Sequence, residues 1–213
     1  MCGRTVLALT VYDGKIVVGG NFRMAAGAND IDHIFSWDGL KVNRIGRGLD
    51  GVVDALAVHE GLLVVGGQFT IAWNSDGSLL RCGGLVGWNG LSWFLLGDSM
   101  VKGMVTALLA VSGKGQSKLY IAGRFGEIGS LKANGIAVFE GNRWMTIGQD
   151  SGFSGGHINA MVVFDSHLYI GGTFSRIGNV SAAGFARWDG HRYIRSHLCA
   201  PSTSVIHGSK GSN

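Results

Sequence analysis

Apolar residues in this chain come in short runs rich in strand formers, cut by turn residues, and nowhere with a helical period. Residues 5–46 show the pattern. "VLALTVY" predicts a first strand, and Asp13-Gly14 predicts a two-residue hairpin turn, because both central positions of such a turn take positive φ. "KIVVGG" is a second strand, followed by a variable connection. "HIFSW" is a third strand, Asp38-Gly39 a further hairpin turn, and "KVNRIG" a fourth strand.

The unit then repeats. "VVGGNF" at 17–22 returns as "VVGGQF" at 64–69, "YIAGRF" at 120–125 and "YIGGTF" at 169–174. A second word, "SWDG" at 36–39, returns as "GWNG", "VFEG" and "RWDG". A third opens each unit: Val6 to Leu9, Val53 to Leu56, Val105 to Leu108 and Ile158 to Met161. The aromatic of the second word steps from Trp37 to Trp88, Phe139 and Trp188, intervals of 51, 51 and 49. Ordered words at one such period signal a solenoid, propeller or array, and four short antiparallel strands per unit make a propeller blade. The predicted fold class is all-β: a β-propeller-type array of four four-stranded antiparallel blades, a closed four-bladed ring or an open, partial one. The blades cover approximately 5–50, 52–99, 103–150 and 156–196, with 197–213 as a tail. Val205 follows Tyr193 by 12 residues, as Val105 follows Trp93, so the tail reads as the start of a truncated fifth repeat. That favours the open form, paired with a second copy or another chain, or a piece of a longer protein.

Structural roles follow from the words. Gly19, Gly20, Gly66, Gly67, Gly123, Gly171 and Gly172 end the second strands, where a missing Cβ lets the strand pass close to the neighbouring blade and turn into the connection. Phe22, Phe69, Phe125 and Phe174 are expected to bury their rings, as are Trp37, Trp88, Phe139 and Trp188. Ala8, Ala55, Ala107 and Ala160 are small because first strands crowd around the axis.

The full pattern, "V-x-A-L-x-V-x-D-G-x-L-Y-V-G-G-x-F" and then "W-D-G-x-x-W-x-x-L-G", runs through residues 5–196. It resembles the kelch-type β-propeller repeat. It is more similar still to the kelch-like repeats of the fungal cortical cell-polarity marker family and of many secreted repeat proteins. The resemblance implies architecture and says little of activity, since propellers host unrelated functions. This chain departs from it: the polarity markers are long, membrane-anchored proteins with many repeats. Unit three also has Ala122 for the first Gly, Phe139-Glu140 for Trp-Asp, and a longer turn, "SGKGQSK".

Composition narrows the classes. At 46% hydrophobic and 15% charged, the chain is not a charged disordered one. With 37 Gly, 1 Pro and no three-residue period, it is turn-rich rather than collagenous. A net charge of +4 is scattered, with no Lys/Arg stripe, so no nucleic-acid partner is expected. Cys2, Cys82 and Cys199 make no disulfide framework. No apolar run approaches the ~18 residues of a membrane span, and residues 1–11 are too short and poorly flanked for a signal peptide. The compartment stays open.

Chemistry is sparse. Copper oxidases of the galactose-oxidase type also carry kelch-type repeats, but Tyr12, Tyr120, Tyr169 and Tyr193 have no Cys at a matching place. Asp30, Asp32 and His33 could share a loop face, yet they lack the Gly and terminal Glu of a calcium loop. No metal or cofactor is expected. Asn179-Val-Ser181 fits the glycosylation sequon. What remains is the set of connections after each Gly-Gly word, 23–33, 70–84, 126–135 and 175–184, which differ in sequence and share one rim. Binding concentrates in such segments on a rigid scaffold. The second is longest and carries Trp73 and Arg81, residue types enriched at interface hot spots. The expected function is a non-catalytic binding or scaffold module, with a protein partner or self-association and Trp73, Arg81, Asp30, Asp32 and His33 as rim candidates. The alternatives are a glycan-binding lectin and a propeller-type carbohydrate-active or oxidising enzyme.

Overall fold

A computed structural model describes residues 5–25, 28–113, 117–148, 153–154 and 156–195, excepting the side chains of 24, 25, 28–31 and 154. The reading of the tail, Cys2, Cys199 and the Asp30 side chain lie outside these residues.

The described chain is all-β, apart from one 3₁₀ turn at Leu96–Asp98. Among the described residues four larger antiparallel sheets, numbered one to four, follow one another, with two three-stranded sheets beside them. Sheet one holds Thr5–Tyr12, Lys15–Ala25, Ala28–Trp37 and Val42–Arg44, paired in that order. Sheet two holds Val52–His59, Leu62–Gln68, Leu85–Trp88 and Trp93–Phe94. Sheet three holds Val101–Ser112, Ser117–Ile128, Ile136–Glu140 and Arg143–Thr146, with Leu131–Lys132 added beside its second strand. Sheet four holds Ile158–Phe164, His167–Gly172, Phe185–Trp188 and Tyr193–Arg195.

The turns obey local chemistry. Asp13 and Gly14 both take positive φ, 50° and 68°, the twist a two-residue hairpin requires. Between the third and fourth strands, Asp38 Oδ1 accepts the N–H groups of Leu40 and Lys41 at 3.0 and 2.9 Å. Asn89 and Asp189 close their turns the same way. Sheet three instead uses Gly141 and Asn142, both at positive φ, so Glu140 has no turn to close.

The two glycines of the repeated word do different things. Every first strand carries a bulge, between Val6 and Ala8, Val53 and Ala55, Val105 and Ala107, and Ile158 and Ala160. The bulge pushes a backbone carbonyl against the second glycine: a Cβ on Gly20 would lie 2.1 Å from the Thr5 oxygen, and Gly67, Gly123 and Gly172 face the same obstacle at 2.1 Å. The first glycine serves the next sheet. A Cβ on Gly19 would lie 2.4 Å from Val53 Cγ1, and one on Gly66 2.8 Å from Val105 Cγ1. None of these glycines has positive φ, so close approach, and not a sharp turn, is the reason for the pair.

Sheets pack face to face in chain order. One core joins sheets one and two through Val17, Ile34, Val53, Val65 and Trp88. The next cores join sheets two and three, then three and four. Aromatic pairs line each junction: Trp88 with Trp93 at 4.9 Å, Phe139 with Trp144 at 4.8 Å, Trp188 with Tyr193 at 4.8 Å. Their polar tips reach back to the preceding sheet: Trp144 Nε1 donates to the Leu96 carbonyl and the Tyr193 hydroxyl to that of Ile147, both at 2.9 Å.

Phe22, Phe69, Phe125 and Phe174 are buried as expected, and so are Trp88 and Phe139. Trp188 is half-buried. Trp37 departs from the expectation and is 41% exposed. Its cross-strand partner is Val42 where the other sheets place an aromatic, and among the described residues no sheet covers its face. Ala160 is likewise exposed, no sheet covering its face among the described residues, whereas Ala55 and Ala107 are buried. No helix among the described residues is long and apolar enough to cross a membrane.

Candidate binding rim

The connections after the Gly-Gly words, expected as loops, are β-ribbons. The second and third strands of sheet one run on to Ala25 and from Ala28. Ile71–Trp73 pairs with Leu79–Arg81, and Arg176–Ile177 with Val180–Ser181. The segment entering each sheet joins the ribbon: Leu49 pairs with Ala72, Val101 with Ile128, and Phe153 with Ile177. Except for Phe153, these residues are at most 2% exposed, which gives the rim apolar packing of its own.

In the ribbon of sheet two, cross-strand partners share a face, so Ile71, Trp73, Leu79 and Arg81 lie on one side and Ala72 and Leu80 on the other. The second side packs into the core. The first is outward: Leu79 is 57% exposed and Arg81 is exposed, while Trp73 is partly buried. Trp73 also serves through its backbone, its carbonyl accepting Arg47 N–H at 2.7 Å and Trp93 Nε1–H at 3.1 Å.

Asp50, which the sequence reading did not single out, fastens this ribbon. Its carboxylate accepts the N–H groups of Thr70 and Ile71 at 2.7 and 2.9 Å and the Thr70 hydroxyl at 2.7 Å. Burial pushes the Asp50 carboxyl up, and these hydrogen bonds outweigh it, leaving it below the ordinary range. Beside it, burial first and the Asp50 charge second push the Cys82 thiol up to about 12. A fully buried thiol in that state is no nucleophile.

Between this ribbon and the entry to sheet three lies a groove of about 560 Å³. Met100 and Met104 form an apolar wall over the buried Phe69 and Val101, and Arg81 and Lys102 supply the charge. Lys102 is paired with Glu127 at 2.6 Å. A second groove, about 430 Å³, occupies the same place at the next junction, where Phe125 takes the position of Phe69 and Arg124 and Phe153 line the sides. Arg124 Nη2 donates to His157 Nδ1 at 3.1 Å.

The remaining candidates lie on sheet one. Asp32 forms an exposed ion pair with Arg23 at 3.8 Å. His33 has a positive φ of 67° and lies where the pairing of the second and third strands shifts register. It is 6% exposed, with Nδ1 3.1 Å from the Gly20 carbonyl, where it ties the third strand to the glycine pair. The structure thus brings Trp73 and Arg81 to one face and keeps Asp32 and His33 apart from them. Among the described residues, no group of three or more His, Cys, Asp and Glu side chains is placed to hold a metal ion. Asp50 left no signal because its counterpart in unit three is Lys102, of opposite charge and with a different partner.

A family model described as "Domain of unknown function (DUF5122) beta-propeller" matches residues 13–32. The matched stretch runs from the first hairpin turn through Gly19, Gly20 and Phe22 to Asp32. It supports a propeller family and does not extend to kelch-like repeats or to the cell-polarity marker family. No curated protein matches the chain.

Proposed function

We propose that this chain is a non-catalytic binding module: a propeller-type array of four four-stranded, kelch-like units that presents its ribbon rim to a protein partner. One observation carries the reading. The same groove recurs at two successive junctions, with Phe69 and Phe125 in equivalent places and different residues around them. A constant buried ring beneath a varied margin, apolar at the first groove and more polar at the second, suits an extended polypeptide that lays different side chains into successive grooves. Arg81 and Arg124, both exposed, favour carboxylates beside them.

The partly exposed Trp73 beside Arg81 supports a second reading, a sugar ring stacked on the indole. Selection from a displayed-peptide library, run beside a glycan array, separates the two. Enrichment of peptides combining apolar and acidic residues, lost in Arg81→Ala and Arg124→Ala and kept in Leu40→Ser and Leu91→Ser on the opposite rim, is the expected result. Binding that survives the rim changes and disappears with Leu40→Ser and Leu91→Ser would reverse the assignment. Glycan binding lost in Trp73→Ala would move it to the second reading.

A further inference from the structure

Two apolar faces of this molecule are uncovered among its described residues, and the repeat makes them complementary. The first is the outward face of sheet one, where Val6, Leu9 and Val11 are 53%, 64% and 66% exposed. Their counterparts on sheet two, Val53, Leu56 and Val58, face sheet one, and Val53 is 0% exposed. The second is the outward face of sheet four. Ala160, Val162, Tyr169, Gly171 and Phe185 share it by register, and Val162 and Phe164 are 55% and 69% exposed. Tyr169 stacks on Phe185 there, centroids 5.9 Å apart. The same positions on sheet one are filled by Val17 and Ile34, 0% and 1% exposed, under sheet two.

The glycines state the fit most sharply. Gly19 seats Val53 and Gly66 seats Val105, each against the valine that opens the next unit. Gly171 holds the same position with nothing against it: the nearest atom to a Cβ there is the Ala160 oxygen of its own sheet, at 3.9 Å. The valine that opens sheet one, Val6, is meanwhile unseated. Sheet four offers a vacant seat, and sheet one the side chains that fill that seat elsewhere in the molecule. Arg187 shares the seat, and a guanidinium on a long apolar stem is tolerated at such an edge.

We infer that a second copy of this chain docks head to tail, sheet one of one copy on sheet four of the other, with Val6 against Gly171 and Leu9 and Val11 over Val162 and Tyr169. The contact continues the internal junctions, so its chemistry is that of the cores already formed between sheets. It is heterologous, and two copies that fill each other's seats close it. The closed pair has eight sheets, at the upper end of the roughly four to eight blades of known propellers. The inference does not depend on the rim reading.

The test uses the whole chain and two double variants, one for each face: Leu9→Asp with Val11→Asp, and Val162→Asp with Phe164→Asp. All four residues are exposed, so circular dichroism of each variant should match the parent. By light scattering the parent is expected at twice the chain mass and each variant alone at one chain mass. An equimolar mixture should return to two chains, because each variant keeps the face the other lacks. A parent of one chain mass overturns the inference, whether solvent or the chain's own tail meets the faces. So does a variant that still pairs with itself, or a mixture that stays single.

Discussion

Gly19 and Gly171 hold the same place in the same word, and their surroundings are opposite. Gly19 is pressed by a valine of the next sheet, while among the described residues Gly171 meets only an oxygen of its own sheet. Gly20 and Gly172 do not differ at all, because the carbonyl that excludes a side chain from them belongs to their own sheet. Within one dipeptide, then, one glycine answers to the neighbour and the other to the strand beside it.

The largest expected effect tests the half of the comparison that should be uniform. Gly20→Ala and Gly172→Ala each force a Cβ onto a backbone oxygen and should cost about 3 kcal/mol or more, alike at both ends of the molecule. Urea denaturation measures this; a Gly172→Ala protein as stable as the parent would show that the bulge does not dictate the glycine.

Next comes the half that should be asymmetric. Gly66→Val should cost about 2–3 kcal/mol through overpacking against Val105, while Gly171→Val should stay within about 0.5 kcal/mol. The melts belong in the Leu9→Asp, Val11→Asp background, where docking of a second copy does not intervene. Equal losses at the two sites would erase the distinction between covered and open seats.

The filling side chain gives a smaller difference of the same sign. Val53→Ala should cost about 1.5–2 kcal/mol and Val6→Ala close to nothing in that background, since only Val53 loses buried methyl groups. A cost at Val6 matching that at Val53 would mean that sheet one is covered within a single chain.

The smallest effect is one of pH. His59, 3% exposed, contacts the Phe139 ring and lies 3.1 Å from the Ser117 hydroxyl at the junction of sheets two and three, whereas sheet one has Tyr12 in its place. Burial lowers the His59 pKa below its ordinary 6.5. The unfolded chain therefore takes up the proton first, so the full stability is present above pH 6.5 and is lost as pH falls through the lowered value. Titrating stability against His59→Phe isolates this slope; identical pH profiles would assign the acid loss to other groups.

How much was legible beforehand can be read at particular residues. Phe22, Phe69, Phe125 and Phe174 were readable because a repeated large ring has few places to go but a core. Asp13-Gly14 was readable because its turn chemistry is local. The reason for the paired glycines was half visible: close approach was foreseen, but the bulge that requires Gly20 is a matter of cross-strand register, which neighbouring letters do not encode. Trp37 misled because its burial depends on the partner at Val42 and on a preceding sheet. The ribbons at 71–81 and 176–181 were missed because their strands are two or three residues long and owe their pairing to segments that enter from the previous unit. At the rim, Trp73 and Arg81 stood out by residue type, while Asp50 acts through three hydrogen bonds to atoms around twenty residues away.

The chain-order packing of the sheets has a kinetic meaning. Each sheet rests on its sequence neighbours, so opening can begin at an end and advance one sheet at a time, as in a zipper with four teeth. Amide protons in sheets two and three must wait for both flanks to release, and those of sheets one and four for only one. Hydrogen exchange would then grade from fast at the ends to slow at the centre, and whatever caps an end slows the entire sequence of openings.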